Sequence, residues 1–167
     1  RRIPASKLRG DGSRNGDFVN LFTSGVTRTK VFFQQTGEHR LRVKAYATRA
    51  GNELAKMEIR LSGKRKGEFS VKEQPPATGL YEVKINVDRK GPQEVEVAFT
   101  NDFWDPKNPN PQRRDRNLYV AWVEVVSPPE QRTGDTETRT RILLERPCLF
   151  DCQHDGMKLF QMLEMLY

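Results

Sequence analysis

The chain is poor in the residues that most catalytic and metal chemistry needs. It has two histidines, His39 and His154, and two cysteines, Cys148 and Cys152. Two cysteines are too few for a disulfide framework. Their spacing, C-x3-C-x-H ending at His154, misses the C-x-x-C-H of haem attachment, and a zinc site needs more ligands than the chain supplies. The pair is expected to be incidental thiols, and no Ser-His-Asp or Cys-His set is credible. No run of apolar residues approaches the length of a membrane span. There is no internal repeat and no low-complexity segment. Hydrophobic residues make up 35% of the 167, below the usual share, so one lean core under a well-solvated surface is expected. The chain opens on Arg1-Arg2-Ile3-Pro4, without a Met or an apolar leader. It is therefore expected to be a piece of something longer.

Positive charge is present in excess, with 29 Lys and Arg against 22 Asp and Glu, a net +7. Such a balance allows a polyanionic partner. The bases are mostly spread singly along strand-like segments (Arg40, Arg42, Lys44, Arg60, Lys84), as on a solvated sheet face. The one dense cluster is Lys64-Arg65-Lys66, directly after a turn at Gly63. Clustering with aromatics is missing, which argues against nucleic acid as the partner.

The strongest pattern is alternation. Leu41, Val43 and Ala45 alternate with Arg40, Arg42 and Lys44; Met57, Ile59 and Leu61 with Glu58 and Arg60. Tyr81, Val83, Ile85 and Val87 alternate with Glu82 and Lys84, and Val95, Val97 and Phe99 with Glu94 and Glu96. Each is a half-buried strand with one wet face, the antiparallel signature. Leu118 to Val126 is apolar on both parities, so it is expected to be central and covered on both sides, with Trp122 in the core. Seven or eight short strands without helical period predict an all-β fold, an antiparallel β-sandwich. Residues 1–17 are expected to be a loop or tail, 18–128 the sandwich, and 129–167 a linker and the start of a following or truncated segment. In that last part Arg141 to Leu144 is a short apolar run, and Gly156 to Tyr167 can form one short amphipathic helix.

The chemistry concentrates between Phe99 and Val125, FTNDFWDPKNPNPQRRDRNLYVAWVEV. A strand ends, a polar loop carries Asn101, Asp102, Asp105, Asp115 and Asn117 around Trp104, and a second strand begins at Leu118. Calcium takes six to eight oxygen donors, and a loop between two strands can supply them. Asp102 and Asp115 are the best carboxylate candidates, because they flank the loop next to its strands. Main-chain carbonyls at Trp104 and Arg114 are further candidates, and Glu53, in the loop after an earlier strand, offers a third carboxylate. An aromatic ring beside such donors suits a sugar face, although Trp104 can equally be a lid on the core. Asp and Asn are also common in loops because they bond nearby backbone, and Asp115 has Arg113, Arg114 and Arg116 close by. A glycosidase would need a carboxyl group in an apolar pocket, and a loop crowded with arginines works against that.

The run AFTNDFWDP…RRDRNLYVAWVEV, with ELAKMEIRLSGK before it, resembles the calcium-dependent, xylan-binding type of carbohydrate-binding module. In that family an N-D dipeptide closes one strand and a D-R-N-L run opens the next; here they are Asn101-Asp102 and Asp115-Arg116-Asn117-Leu118. Gly37 to Ala47 resembles the strand leading into the family's first ligand loop. The resemblance covers roughly residues 18–128. It implies a jelly-roll-like sandwich and calcium held by Asp102 and Asp115, with Glu53 a further candidate, bridging to sugar hydroxyls; from the loop itself, Trp104, Asp102, Asp115 and Asn117 are the residues expected to bind sugar. It also resembles the version embedded in large multidomain, cytochrome-c-like bacterial proteins. That implies neighbouring domains of a parent protein and an exported or cell-envelope location. The leading expectation is a non-catalytic module whose cofactor is calcium and whose partner is a polysaccharide. The alternatives are a structural spacer with a loop-stabilising calcium, and a basic polyanion-binding domain.

Overall fold

The computed structural model describes residues 1–129, which form one unit. The expectations for Arg141 to Leu144, for Gly156 to Tyr167 and for Cys148, Cys152 and His154 lie outside the described residues. The strands, in chain order, are β1 (Arg2–Pro4), β2 (Arg9–Gly10), β3 (Ser13–Asn15), β4 (Phe18–Leu21), β5 (Gly25–Phe33), β6 (Gly37–Ala47), β7 (Ala55–Leu61), β8 (Lys64–Val71), β9 (Gly79–Val87), β10 (Gly91–Phe99), β11 (Phe103–Trp104), β12 (Asp115–Arg116) and β13 (Leu118–Val126). One antiparallel sheet runs β3-β4-β13-β6-β9 with β1 also on β13, the other β2-β5-β10-β7-β8. β11 and β12 form a separate two-stranded ribbon.

The two sheets face each other as a sandwich, jelly-roll-like as expected. The alternating apolar residues fill the space between them: Leu41, Val43 and Ala45 from β6, Met57 and Ile59 from β7, Val95, Val97 and Phe99 from β10, Leu118, Val120, Val123 and Val125 from β13. Each is nearly or wholly removed from water. Burying a side chain of this size contributes about 1.5–3 kcal/mol. The alternate positions carry charge and pair across strands: Arg40 and Arg42 with Glu82, and Arg42 with Glu124. His39 is turned inward, 1% exposed, edge-on to Phe33 at 5.2 Å.

Two expectations need correction. Residues 1–17 are not a tail. They supply β1, β2 and β3, bury Ile3, Ala5 and Leu8, and send the N-terminal amine to the Val125 carbonyl at 2.6 Å. Strands of two or three residues are too short to show a period, so alternation could not reveal them. β13 is central as expected, flanked by β4, β6 and β1, but it is not covered on both sides. Its register against β6 slips between Val120 and Trp122. That irregularity takes one extra residue and resets the parity. Val123 and Val125 then point inward, while Trp122 stays half-buried on the outer face under the Arg2 guanidinium, 4.1 Å from the ring centroid.

The loops divide between two ends. At one end lie the segments 48–54, 72–78 and 100–117. At the other lie the tight turns 62–63 and 88–90. Ser62 (φ 50) and Gly63 (φ 77) both take left-handed backbone, the type I′ hairpin turn that suits the twist of β7 and β8.

Candidate functional site

Antiparallel pairing builds the site. In the ribbon Phe103 faces Arg116 and Trp104 faces Asp115. The next bond outward continues that register, from the Asp105 N–H to the Arg114 carbonyl at 2.7 Å. The ladder stops on the other side, where the Asp102 N–H turns to the Ser24 hydroxyl and the Asn117 N–H to the Thr48 hydroxyl. Side chains alternate along a strand and opposed residues share a face. Trp104 and Asp115 therefore share one face of the ribbon, with Asn117 bonded to Asp115, and Phe103 and Arg116 share the other. Of the residues expected to touch sugar, pairing thus joins Trp104 to Asp115, and a hydrogen bond joins Asp115 to Asn117.

Asp115 and Asn117 are joined directly: the Asn117 amide donates to the Asp115 carboxylate at 2.8 Å. Their backbone is fixed by Thr48, whose hydroxyl donates to the Asp115 carbonyl at 2.8 Å and accepts from the Asn117 N–H at 2.9 Å. None of the neighbouring arginines takes Asp115; among the described residues it has no ion pair. Asp102 is exposed, and its N–H reaches the Ser24 hydroxyl at 3.2 Å. Trp104 is 60% exposed, so it is not a lid on the core. Trp104 and Asp115 sit next to the Asp105–Arg114 bond. Alternate pairs in such a ladder exchange no bonds, so the Trp104 carbonyl points out of the ribbon.

Two of the expected ligands are engaged elsewhere. The Arg114 carbonyl already accepts the Asp105 N–H, and its guanidinium donates to the Asn108 carbonyl at 2.8 Å. Glu53 is bound by the Asn101 amide at 3.2 Å and lies 3.6 Å from Lys56. The Asn101 hydrogen bond first, and Lys56 second, hold its carboxyl below the usual value. Asn101 alternates with Asp102 and bonds the Leu54 carbonyl and the Lys56 N–H, so Glu53 is tied to the β7 side.

On the far face of the ribbon Arg116 is the organiser. It is 4% exposed. Its guanidinium donates to the Ala50 carbonyl from Nε (3.2 Å) and Nη2 (2.6 Å), and to the Asn101 carbonyl from Nη1 (2.8 Å). Its Cζ lies 5.2 Å from the Phe103 ring centroid. The loop 48–54 can approach this pair because Gly51, at φ +65, has no side chain; a Cβ there would come within 3.1 Å of Phe103 and 3.3 Å of Arg116.

Residues not expected from the sequence extend the site. Tyr119, two positions beyond Asn117 and so on its face, stacks on Tyr46 at 4.4 Å and 9°, and Phe18 meets Tyr46 edge-on at 5.0 Å. Burial, with Tyr119 adding, raises the Tyr46 phenol above its usual value. Phe22, at the end of β4, is 50% exposed. Only the pairing of β4, β6 and β13 assembles this aromatic strip, although Tyr119 read outward on β13 would have hinted at it.

The donor set suits a hard cation. The candidate donors are oxygens only: the carboxylates of Asp102 and Asp115, the Asn117 amide oxygen and the Trp104 carbonyl. The Asn117 Oδ1 is buried and has no partner among the described residues, whereas buried polar atoms almost always have one. No group of three His, Cys, Asp or Glu gathers at one point among the described residues, so any ion here takes the rest of its oxygens from amide, main chain and ligand.

The chain matches the family model CBM60, described as a Ca-dependent carbohydrate-binding module, xylan-binding, over residues 40–140. No curated protein matches it. Among solved structures it resembles a carbohydrate-binding module CBM36 in complex with calcium and xylotriose, at 18% identity and TM-score 0.56, covering 75% of this chain and 98% of that one. It also resembles the CBM36-1 domain of a multidomain xylanase from the hindgut metagenome of Trinervitermes trinervoides, at 15% identity and TM-score 0.56, covering 77% and 97%. A CBM35 from Paenibacillus barcinonensis aligns at 12% identity and TM-score 0.51, covering 77% and 99%. At these identities the structures speak to the fold.

Proposed function

Because the chain belongs to CBM60, the calcium-dependent, xylan-binding carbohydrate-binding modules, we propose that it binds a xylan-like polysaccharide through calcium at the ribbon face, without catalysing a reaction. The observation that supports the site assignment is the register of β11 with β12, which sets the exposed Trp104 opposite Asp115. Asp102 and Asp115 hold the ion, with the unpartnered Asn117 Oδ1 and the Trp104 carbonyl completing the protein's share. When bound, calcium supplies a charge that sugar hydroxyls can ligate in place of water. Trp104 offers an exposed ring on which the C–H face of a sugar can stack. Glu53 and the Arg114 carbonyl are left out of this set, since each is already bonded.

Catalysis does not suit the same residues. A glycosidase acid must be kept protonated by an apolar enclosure. Asp102 is exposed, and Asp115 lies against the Asn117 amide rather than in an apolar enclosure. The module is further proposed to serve a larger protein, held outside the cell or in its envelope where polysaccharide is met.

Affinity electrophoresis through gels containing xylan tests this, with calcium or with EDTA. Retardation should need calcium and disappear in Asp115→Asn and Asp102→Asn. Equal retardation in both buffers would end the calcium assignment. A chelator-sensitive melting temperature without retardation would make the ion a structural pin and the domain a spacer.

A further inference from the structure

The other end of the sandwich carries a feature that the loop site does not use. Where the edge strands β8 and β9 of the two sheets part, a cavity of about 340 Å³ opens. Its walls include Ser62, Lys64, Lys66, Asn86, Asp88 and Arg89. The backbone aims two of these cations. Along the β7–β8 hairpin the register shifts between Ile59 and Arg60, so that Arg60 pairs with Arg65 and Ile59 with Gly67. Lys66 is the extra residue. Bulges re-aim side chains in this way, and here Lys64 and Lys66 come to line the same cavity while Arg65 stays out of it.

The pairing of these bases is selective. Arg65 is neutralised by Glu68 at 2.8 Å and Glu58 at 3.5 Å. Arg40, Arg42 and Arg60 on the sheet faces are matched to carboxylates as well. Lys64, Lys66 and Arg89 have no ion pair among the described residues. The one carboxylate in the cavity wall, Asp88, is engaged by the Asn86 amide at 2.7 Å. Three cations against one carboxylate in a concave site focus a positive potential, and a solvated face made only for solubility would mix the signs.

We propose that this cleft is a second ligand site, which takes the carboxylate of a uronic-acid residue in an acidic polysaccharide. Lys64, Lys66 and Arg89 hold the anionic group, and Ser62 and the amide side chains meet hydroxyls. The volume is at the lower end for a small-molecule site, enough for one or two sugar rings. The lining has no aromatic side chain, which disfavours nucleic acid, whose bases bind single-strand readers by stacking. The site stands apart from the ribbon and does not rest on the calcium reading.

The test is titration of the chain with polygalacturonate oligosaccharides in EDTA, at low and at high salt. Binding should persist without calcium, weaken at least tenfold between 20 mM and 0.5 M salt as screening shortens to a few ångströms, and survive Asp115→Asn. Lys64→Gln with Lys66→Gln should cost tenfold or more. Lys7→Gln with Arg14→Gln, an equal loss of charge on exposed residues elsewhere, should cost less than threefold. Equal losses in the two double variants would mean diffuse charge and overturn the site. Binding that vanishes in EDTA would move the anion to the ribbon and overturn it too. Single-stranded DNA bound as tightly as polygalacturonate would overturn the polysaccharide assignment.

Discussion

Replacing Arg116 by Met should loosen the loop end of the sandwich and abolish ligand binding together. The guanidinium is 4% exposed and makes three hydrogen bonds to two carbonyls, those of Ala50 and Asn101. Met keeps the length of the stem and its contact with Phe103, so the loss is confined to the polar head. The Ala50 and Asn101 carbonyls would be left without that donor, each at a cost of about 1–3 kcal/mol. Removing a buried charge that has only neutral partners returns part of this. A net loss of about 2–4 kcal/mol follows, and at about 3–4 °C per kcal/mol for a domain of this size the melting temperature should fall by roughly 10 °C. Lys at 116 can reach one carbonyl but lacks the planar fork, so it should recover about half. Scanning calorimetry on the three proteins gives the numbers, and xylan electrophoresis on each gives the binding. A Met variant melting within 2 °C of the parent, or binding xylan as well, would refute the view that Arg116 holds the ribbon in place.

Other outcomes can be checked alongside. Trp104→Ala removes an exposed ring and should leave the melting temperature unchanged. It should weaken xylan binding by about 1–2 kcal/mol, five- to thirtyfold by titration calorimetry, from the area the ring buries against sugar. Calcium at a hundredfold excess over its dissociation constant should stabilise the fold by about 2.7 kcal/mol, so EDTA should lower the melting temperature by several degrees, and Asp115→Asn should erase that difference. Acid should destabilise the edge of the sheet near Tyr81. The Tyr81 hydroxyl bonds Glu73 and holds its carboxyl below the ordinary 4.5. Its contribution is therefore complete above pH 4.5 and is lost as pH falls through the lower folded value. Tyr81→Phe should flatten the fall in melting temperature between pH 5 and pH 3 relative to the parent.

The sequence by itself determined the long alternating strands and which side of each is wet, and it set the candidate residues Asp102, Trp104, Asp115 and Asn117 in one stretch. Alternation is local: Leu41, Val43 and Ala45 announce their shared face whatever they pair with. The N-D and D-R-N-L runs also sit within one short stretch, so their residue types could be read in place. Pairing is not local. That Trp104 meets Asp115, that Glu53 is drawn away to Asn101 and Lys56, and that Arg116 clamps the loop at Ala50 depend on registers and loop approaches set by the rest of the molecule. The slip in β13 that turned Trp122 outward, and the short strands made by residues 1–17, exist only because neighbouring strands were there to receive them. The same holds for the cationic cleft: Lys64-Arg65-Lys66 is one basic run in the chain, and the bulge in β8 is what separates its neutralised member from the two that face the cavity.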